Sequence, residues 1–135
     1  MSERHTGRCL CGAVTYAFTG DPTWCCYCHC ESCRRGCSAP ATAFFGVDDG
    51  NWSWTGEAPA VFRSSPGVHR YFCGACGSPM AFAADRFAGE IHFYLASLDD
   101  PGAYQPRYHV HHAERLSWLH LDDDLPRYAA GSERT

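Results

Sequence analysis

Hydrophobic and polar residues alternate over short stretches of this chain, and glycines and prolines cut the stretches apart. From residue 9 to 18, Leu10, Gly12, Val14, Tyr16 and Phe18 share one parity. Cys9, Cys11, Ala13 and Thr15 share the other, the period-two pattern of a half-buried strand. Further strands are predicted at 41–47, at 51–54 after the Asp49-Gly50 turn signal, and at 60–63, 68–72 and 80–83. Between 90 and 97 the alternation sends Ile91, Phe93 and Leu95 one way and His92 and Tyr94 the other. Strands at 108–112 and 116–121 close the series. Sustained helical periodicity is absent, and single helical turns are predicted after Cys30 and across Asp99–Tyr104. The pattern predicts an all-β domain of short antiparallel strands with little helix. It covers residues 1–128, with a frayed tail over 129–135.

Composition narrows the class of function. A chain of 135 residues suits one domain. The net charge is −4 with no basic run, so nothing favours nucleic acid or an acidic membrane surface. No apolar run approaches the roughly 20 residues of a membrane span. The polar start Met1–Gly7 lacks the apolar region of an export signal, and a cytoplasmic location is expected. Cysteine changes the picture most, with ten residues. In a reducing compartment, close thiol pairs point to metal before disulfides. Neighbours as close as Cys9-x-Cys11 and Cys28-x-Cys30 cross-link each other poorly, yet converge readily on one ion.

Two constellations emerge. Cys9-x-Cys11-Gly12 and Cys73-x-x-Cys76-Gly77 supply two thiols each, enough for a closed tetrahedral site, with the alternative of two metal-free buried pairs. Both thiols of Cys9-x-Cys11 are expected on one face of a strand, and the glycines around Cys76 on a tight turn. Cys28-His29-Cys30-Glu31-Ser32-Cys33 supplies three thiols, and His29 points away from them if the segment is extended. On spacing alone Cys25, Cys26 or Cys37 could each complete a fourth position, which would make the site structural. Left open, that position admits water or a substrate thiolate. Arg34, Arg35 and Arg70 lie near enough in sequence to balance anionic centres.

The ordered set of motifs resembles the glutathione-dependent formaldehyde-activating enzyme family, which includes the centromere protein V-like proteins. It runs from Gly7-Arg8-Cys9-Leu10-Cys11-Gly12 through Cys28-His29-Cys30-Glu31-Ser32-Cys33-Arg34-Arg35 to Arg70-Tyr71-Phe72-Cys73-Gly74-Ala75-Cys76-Gly77. Ser97-Leu98-Asp99-Asp100-Pro101, His109, Trp118 and Leu125-Pro126 are also similar. The resemblance implies a tent-like β zinc fold with two Zn²⁺ per chain. Cys9, Cys11, Cys73 and Cys76 match the structural zinc, and Cys28, Cys30 and Cys33 the catalytic one. It implies joining of formaldehyde to glutathione, giving S-(hydroxymethyl)glutathione. A monomer or homodimer is expected, the aromatic content leaving room for a dimer face. Other small thiols or aldehydes, and a non-catalytic zinc module, are the competing readings. Candidate acid–base groups are His29, His92 and His109. Arg34 and Arg35 are the candidates for glutathione's carboxylates, or else balance the charge of the metal centre. Phe44, Phe45, Trp52 and Trp54 are expected in the core before any pocket. His111-His112 reads as polar surface.

Overall fold

Alternation over five to seven residues suffices for a strand but not for an amphipathic helix, and the fold follows. The computed structural model describes residues 3–131. In chain order it forms β1 (Arg4–Arg8), β2 (Thr15–Thr19), β3 (Trp24–Cys28), α1 (Glu31–Cys37), β4 (Thr42–Asp48), β5 (Trp52–Trp54), β6 (Ala60–Ser65), β7 (Val68–Phe72), β8 (Pro79–Ala84), β9 (Glu90–Tyr94) and β10 (His109–Val110). The strands make a three-stranded sheet, β1-β2-β5, and a seven-stranded sheet, β10-β3-β4-β9-β8-β7-β6. Pairing is antiparallel throughout except between β10 and β3, which run parallel. The all-β expectation holds, with this one parallel pair as its correction.

Two hydrophobic clusters lie on opposite faces of the larger sheet, because successive side chains of each strand alternate. Cys25, Phe45, Val47, Ile91 and Phe93 point to the face covered by the smaller sheet, where Tyr16 and Phe18 meet them. Tyr16 stacks on Phe93 at 4.0 Å and bonds the Ser97 hydroxyl at 2.7 Å, so its buried phenol is paired. Gly7 on β1 has no room for a Cβ, which would overlap the Tyr16 ring. Trp24, Cys26, Cys28, Phe44, Phe82 and Tyr94 point to the other face. The parity predicted for Ile91, Phe93 and Leu95 against His92 and Tyr94 is therefore the division between the two clusters.

Several elements differ from the sequence reading. Residues 9–14 are a turn, not a strand. The Cys9 N–H donates to the Val14 carbonyl at 3.0 Å, the Gly12 N–H to the Cys9 carbonyl at 3.2 Å, and Gly12 has φ +83. Segment 116–121 forms no strand and carries a turn bond from the Leu119 N–H to the Leu116 carbonyl. Both predicted helical turns are present, as α1 and as a 3₁₀ turn over Pro101–Ala103. β1 and β3 were not foreseen. The tail expected to fray from Ala129 is held at its start, since the Ala129 and Ala130 carbonyls accept from the Ala113 and His111 N–H groups. The rest of that expectation falls on 132–135, outside the described residues.

Candidate functional site

Four thiols meet where the two sheets join. The Cys9, Cys11, Cys73 and Cys76 sulfurs all lie within 4.8 Å of one another. Cys9 and Cys11 stand 3.6 Å apart, Cys11 and Cys73 3.8 Å. Tetrahedral Zn–S bonds of about 2.3 Å require S···S edges of about 3.8 Å, so the group fits zinc. It is built by two turns rather than by a strand face. The Val14 N–H donates to Cys9 Sγ at 3.3 Å, and the Ala75 and Cys76 N–H groups donate to Cys73 Sγ at 3.4 Å each. Backbone donors aimed at sulfur stabilise thiolate. The Ser78 hydroxyl, 3.1 Å from Cys76 Sγ, is the largest cause pulling that thiol down to about 5.

The second group is Cys28, Cys30 and Cys33, again with all sulfurs within 4.8 Å. Cys28 ends β3. Cys30 is the N-cap of α1, its sulfur accepting from the Cys33 N–H at 3.4 Å. One turn of helix then returns Cys33 to the same side. Without metal the trio shares its protons unevenly. Hydrogen bonding to Cys28 and then Cys33 holds the Cys30 thiol far below its ordinary value, while bonding to Cys30 pushes Cys28 up. A trio in which one sulfur favours the thiolate suits a metal site, and a bound metal would favour ionisation of all three. Arg70 reaches to 4.0 Å of Cys33 Sγ and supplies positive charge.

The spare cysteines fall outside this trio. Cys25 faces the opposite side of the sheet, with burial pushing its thiol up to about 11. Cys37 turns its sulfur to the Cys33 carbonyl at 3.2 Å. Cys26 lies two residues before Cys28 on the same face of β3.

The three thiols open onto a cavity of about 320 Å³. One parity of the large sheet lines it: Trp24, Cys26 and Cys28 from β3, Phe44 from β4, His92 from β9, Phe82 from β8, and Val68 and Arg70 from β7. Gly46 on β4 allows the Trp24 indole to cross the sheet, where a Cβ would overlap it. The indole N–H then donates to Glu90 Oε2 at 2.9 Å, and His92 Nε2 meets the same oxygen at 2.6 Å. This end of the cavity is four residues from Cys28 along β3, about 13 Å. His92 therefore stands well away from the trio.

The arginines expected to bind carboxylates do not line the cavity. Arg34 donates to the His29 and Glu114 carbonyls, and exposed Arg35 pairs with Glu31 at 2.8 Å as an i,i+4 helix pair. Arg70 and Arg86 line it instead. Arg70, weighed from sequence only as a charge balance, lies 5.0 Å above the Phe82 ring; Arg86 lies 4.8 Å above the Phe87 ring. Of the four aromatics considered, Phe44 is a cavity wall, while Phe45, Trp52 and Trp54 belong to the other cluster.

His29 and His109 are likewise absent from the cavity wall. His29 turns away from its cysteine neighbours, 2% exposed, and burial lowers its imidazole to about 4. His109 Nε2 meets both Asp123 oxygens at 3.1 Å, and its Nδ1 meets His29 Nε2 at 2.8 Å. His112 lies close enough to complete a three-histidine group. Nitrogens sharing a tetrahedral zinc stand about 3.3 Å apart. The shorter contact is a hydrogen bond, and the chain Asp123–His109–His29 anchors the C-terminal segment to β10 and β3. Asp123 carried no motif and was missed. Arg86, in the 3₁₀ turn after β8, was missed too, as were Trp24 and Phe82, although the parity those two share with Cys28 was readable once the strands were in register.

Three comparisons bear on identity. A family model described as glutathione-dependent formaldehyde-activating enzyme matches residues 4–114. An uncharacterised lyase of Schizosaccharomyces pombe is 38% identical over 80 residues, covering 58% of this chain and 57% of that protein. The chain thus spans little more than half the length of this curated relative. A crystal structure of a Rhodobacter sphaeroides protein superposes with a TM-score of 0.61 at 17% identity, covering 91% of this chain and 98% of that one. At that identity the likeness shows the fold alone. Because the family match takes in ten strands, α1 and every cysteine of both thiol groups, this chain belongs to the glutathione-dependent formaldehyde-activating enzyme family.

Proposed function

We propose that the protein is a cytoplasmic carbon–sulfur lyase-type enzyme that joins glutathione to formaldehyde, giving S-(hydroxymethyl)glutathione. The observation that carries the reading is a group of three thiols, not four, opening onto a cavity. Cys9, Cys11, Cys73 and Cys76 would hold a structural Zn²⁺ and clamp the two sheets into the tent-like arrangement. Cys28, Cys30 and Cys33 would hold a second Zn²⁺, whose chemistry is to offer a position to a thiol sulfur and ionise it at neutral pH. Arg70 offsets the negative charge of the trio. Arg86, its guanidinium 4.8 Å over the Phe87 ring on the cavity wall, would offer N–H donors to a carboxylate, the group glutathione carries twice.

The competing reading, a zinc module without catalysis, fits a site closed by a fourth protein ligand. Cys37 bonds a helix carbonyl and lies outside the trio, which favours the enzyme. The test is NMR-detected formation of S-(hydroxymethyl)glutathione from ¹³C-formaldehyde. The zinc-loaded protein should accelerate it, and Cys30→Ser should remove the acceleration. Equal rates for the two proteins, or no acceleration by either, would reject the reading.

A further inference from the structure

The family match ends at residue 114, yet the chain beyond it returns to the back of the three-thiol group. The Tyr128 N–H donates to the His109 carbonyl at 2.9 Å, and the His109 N–H to the Pro126 carbonyl at 2.8 Å. The Arg127 guanidinium donates to the Leu121, Asp123 and Leu125 carbonyls and so folds 121–127 into a compact loop. The loop presents Asp123 to His109, and Gly131, further along, lines the cavity. The Asp123 carboxylate is itself held, since Oδ1 accepts from the Leu125 N–H at 3.0 Å and from Arg127 Nη1 at 2.9 Å. This bonding fixes two tautomers. A carboxylate only accepts, so His109 carries its proton on Nε2 and donates to Asp123. His109 Nδ1 is then a bare lone pair, and it accepts from His29 Nε2–H at 2.8 Å. His29 Nδ1 has no partner among the described residues, so the ring's polar anchor is His109.

We infer that Asp123 is a positioning residue for the three-thiol site: through His109 and His29 it fixes the directions in which Cys28 and Cys30 present their sulfurs. His29 stands between those two cysteines. Its N–H donates to the Val110 carbonyl at 3.1 Å, and its carbonyl accepts from Arg34 Nε at 3.3 Å. With the ring and both flanking peptides held, the backbone that carries Cys28 and Cys30 has little freedom to turn. The same stretch joins β3 to α1, and α1 is tied to this region again by the Glu31 N–H, which donates to Glu114 Oε1 at 3.1 Å. Groups that orient metal ligands from behind are worth about 10–100-fold in metal affinity. The inference rests on the proposed metal site and not on the proposed reaction.

The probe is ¹¹³Cd²⁺ bound to the full-length protein, which gives one NMR resonance per metal site. The resonance that Cys30→Ser removes identifies the three-thiol site. Asp123→Asn keeps the side chain's size and an oxygen for Leu125 and Arg127, but sets an amide N–H donor beside His109 Nε2 and favours the wrong tautomer. It should shift the three-thiol resonance and leave the four-thiol resonance in place. Chelator competition should show metal binding at the three-thiol site weakened about 10–100-fold. The thermal transition should stay within about 5 °C of wild type. An unshifted resonance with wild-type affinity, or equal weakening at both sites, overturns the inference. Should Asp123→Asn fail to fold, long-range ¹H–¹⁵N NMR of the wild-type histidines decides. Both His29 and His109 should carry the proton on Nε2, and a proton on Nδ1 of either overturns the inference. Two bound ions in wild type without faster addition of glutathione to formaldehyde would reject the proposed reaction and leave the positioning role. One bound ion in wild type would overturn both.

Discussion

Single residues decide which side of the large sheet becomes a cavity. Gly46 is the clearest case, because the Trp24 indole occupies the space its side chain would take. Gly46→Ala should destabilise by about 1–3 kcal/mol, the usual cost of overpacking. It should also break the Trp24–Glu90 hydrogen bond. Urea denaturation checks the first outcome, and loss of the downfield indole N–H resonance the second. An unchanged midpoint would mean the indole does not lie across β4. Chemistry at this scale was legible where residues carry their own signature. The seven thiols of the two groups were assigned from motif and resemblance, and the structure brings each group together. Arg34 and Arg35 do not line the cavity, because sequence adjacency on α1 says nothing about direction. A helix turns about 100° per residue, and Arg34 and Arg35 leave on faces away from Cys33's cavity.

At the scale of elements, strands with strict alternation were readable, and β7 has the predicted bounds at Val68–Phe72. The segment 9–18 alternates just as well, yet half of it is a turn. Period two reports where side chains could go, and it cannot register that the backbone N–H groups of Val14 and Gly12 are used locally. β3 was hidden for the opposite reason: Trp24–Cys28 is buried on both faces and shows no alternation. Its residues drew attention as thiols rather than as a strand. The two cysteine turns join β1–β2 to β7–β8, so a metal held there would belong to folding. Structural zinc supplies about 10–16 kcal/mol of folding free energy in small zinc peptides, against a total stability of about 5–15 kcal/mol for a domain. Cys73→Ser should therefore lose the cooperative thermal transition followed by circular dichroism, while Cys30→Ser keeps it. A Cys73→Ser protein melting within about 5 °C of wild type would remove the structural role of that group.

Across the whole molecule, the architecture divides its labour between the faces of one sheet. The face toward β1-β2-β5 is packed shut by Tyr16, Phe18, Phe45 and Phe93. The other face is left partly open, with three thiols at one end and the Trp24–Glu90–His92 cluster at the other. Among the described residues no helix is long and apolar enough to cross a membrane. The central claim is that the second metal site has three protein sulfurs and one position for a substrate thiol. Zinc K-edge X-ray absorption of the two-zinc protein reads this directly, since it counts sulfurs averaged over both sites. The account predicts about 3.5 sulfurs per zinc in the free protein, rising to about 4 when glutathione is added. Four sulfurs per zinc before glutathione, or a count that glutathione leaves unchanged, would contradict it.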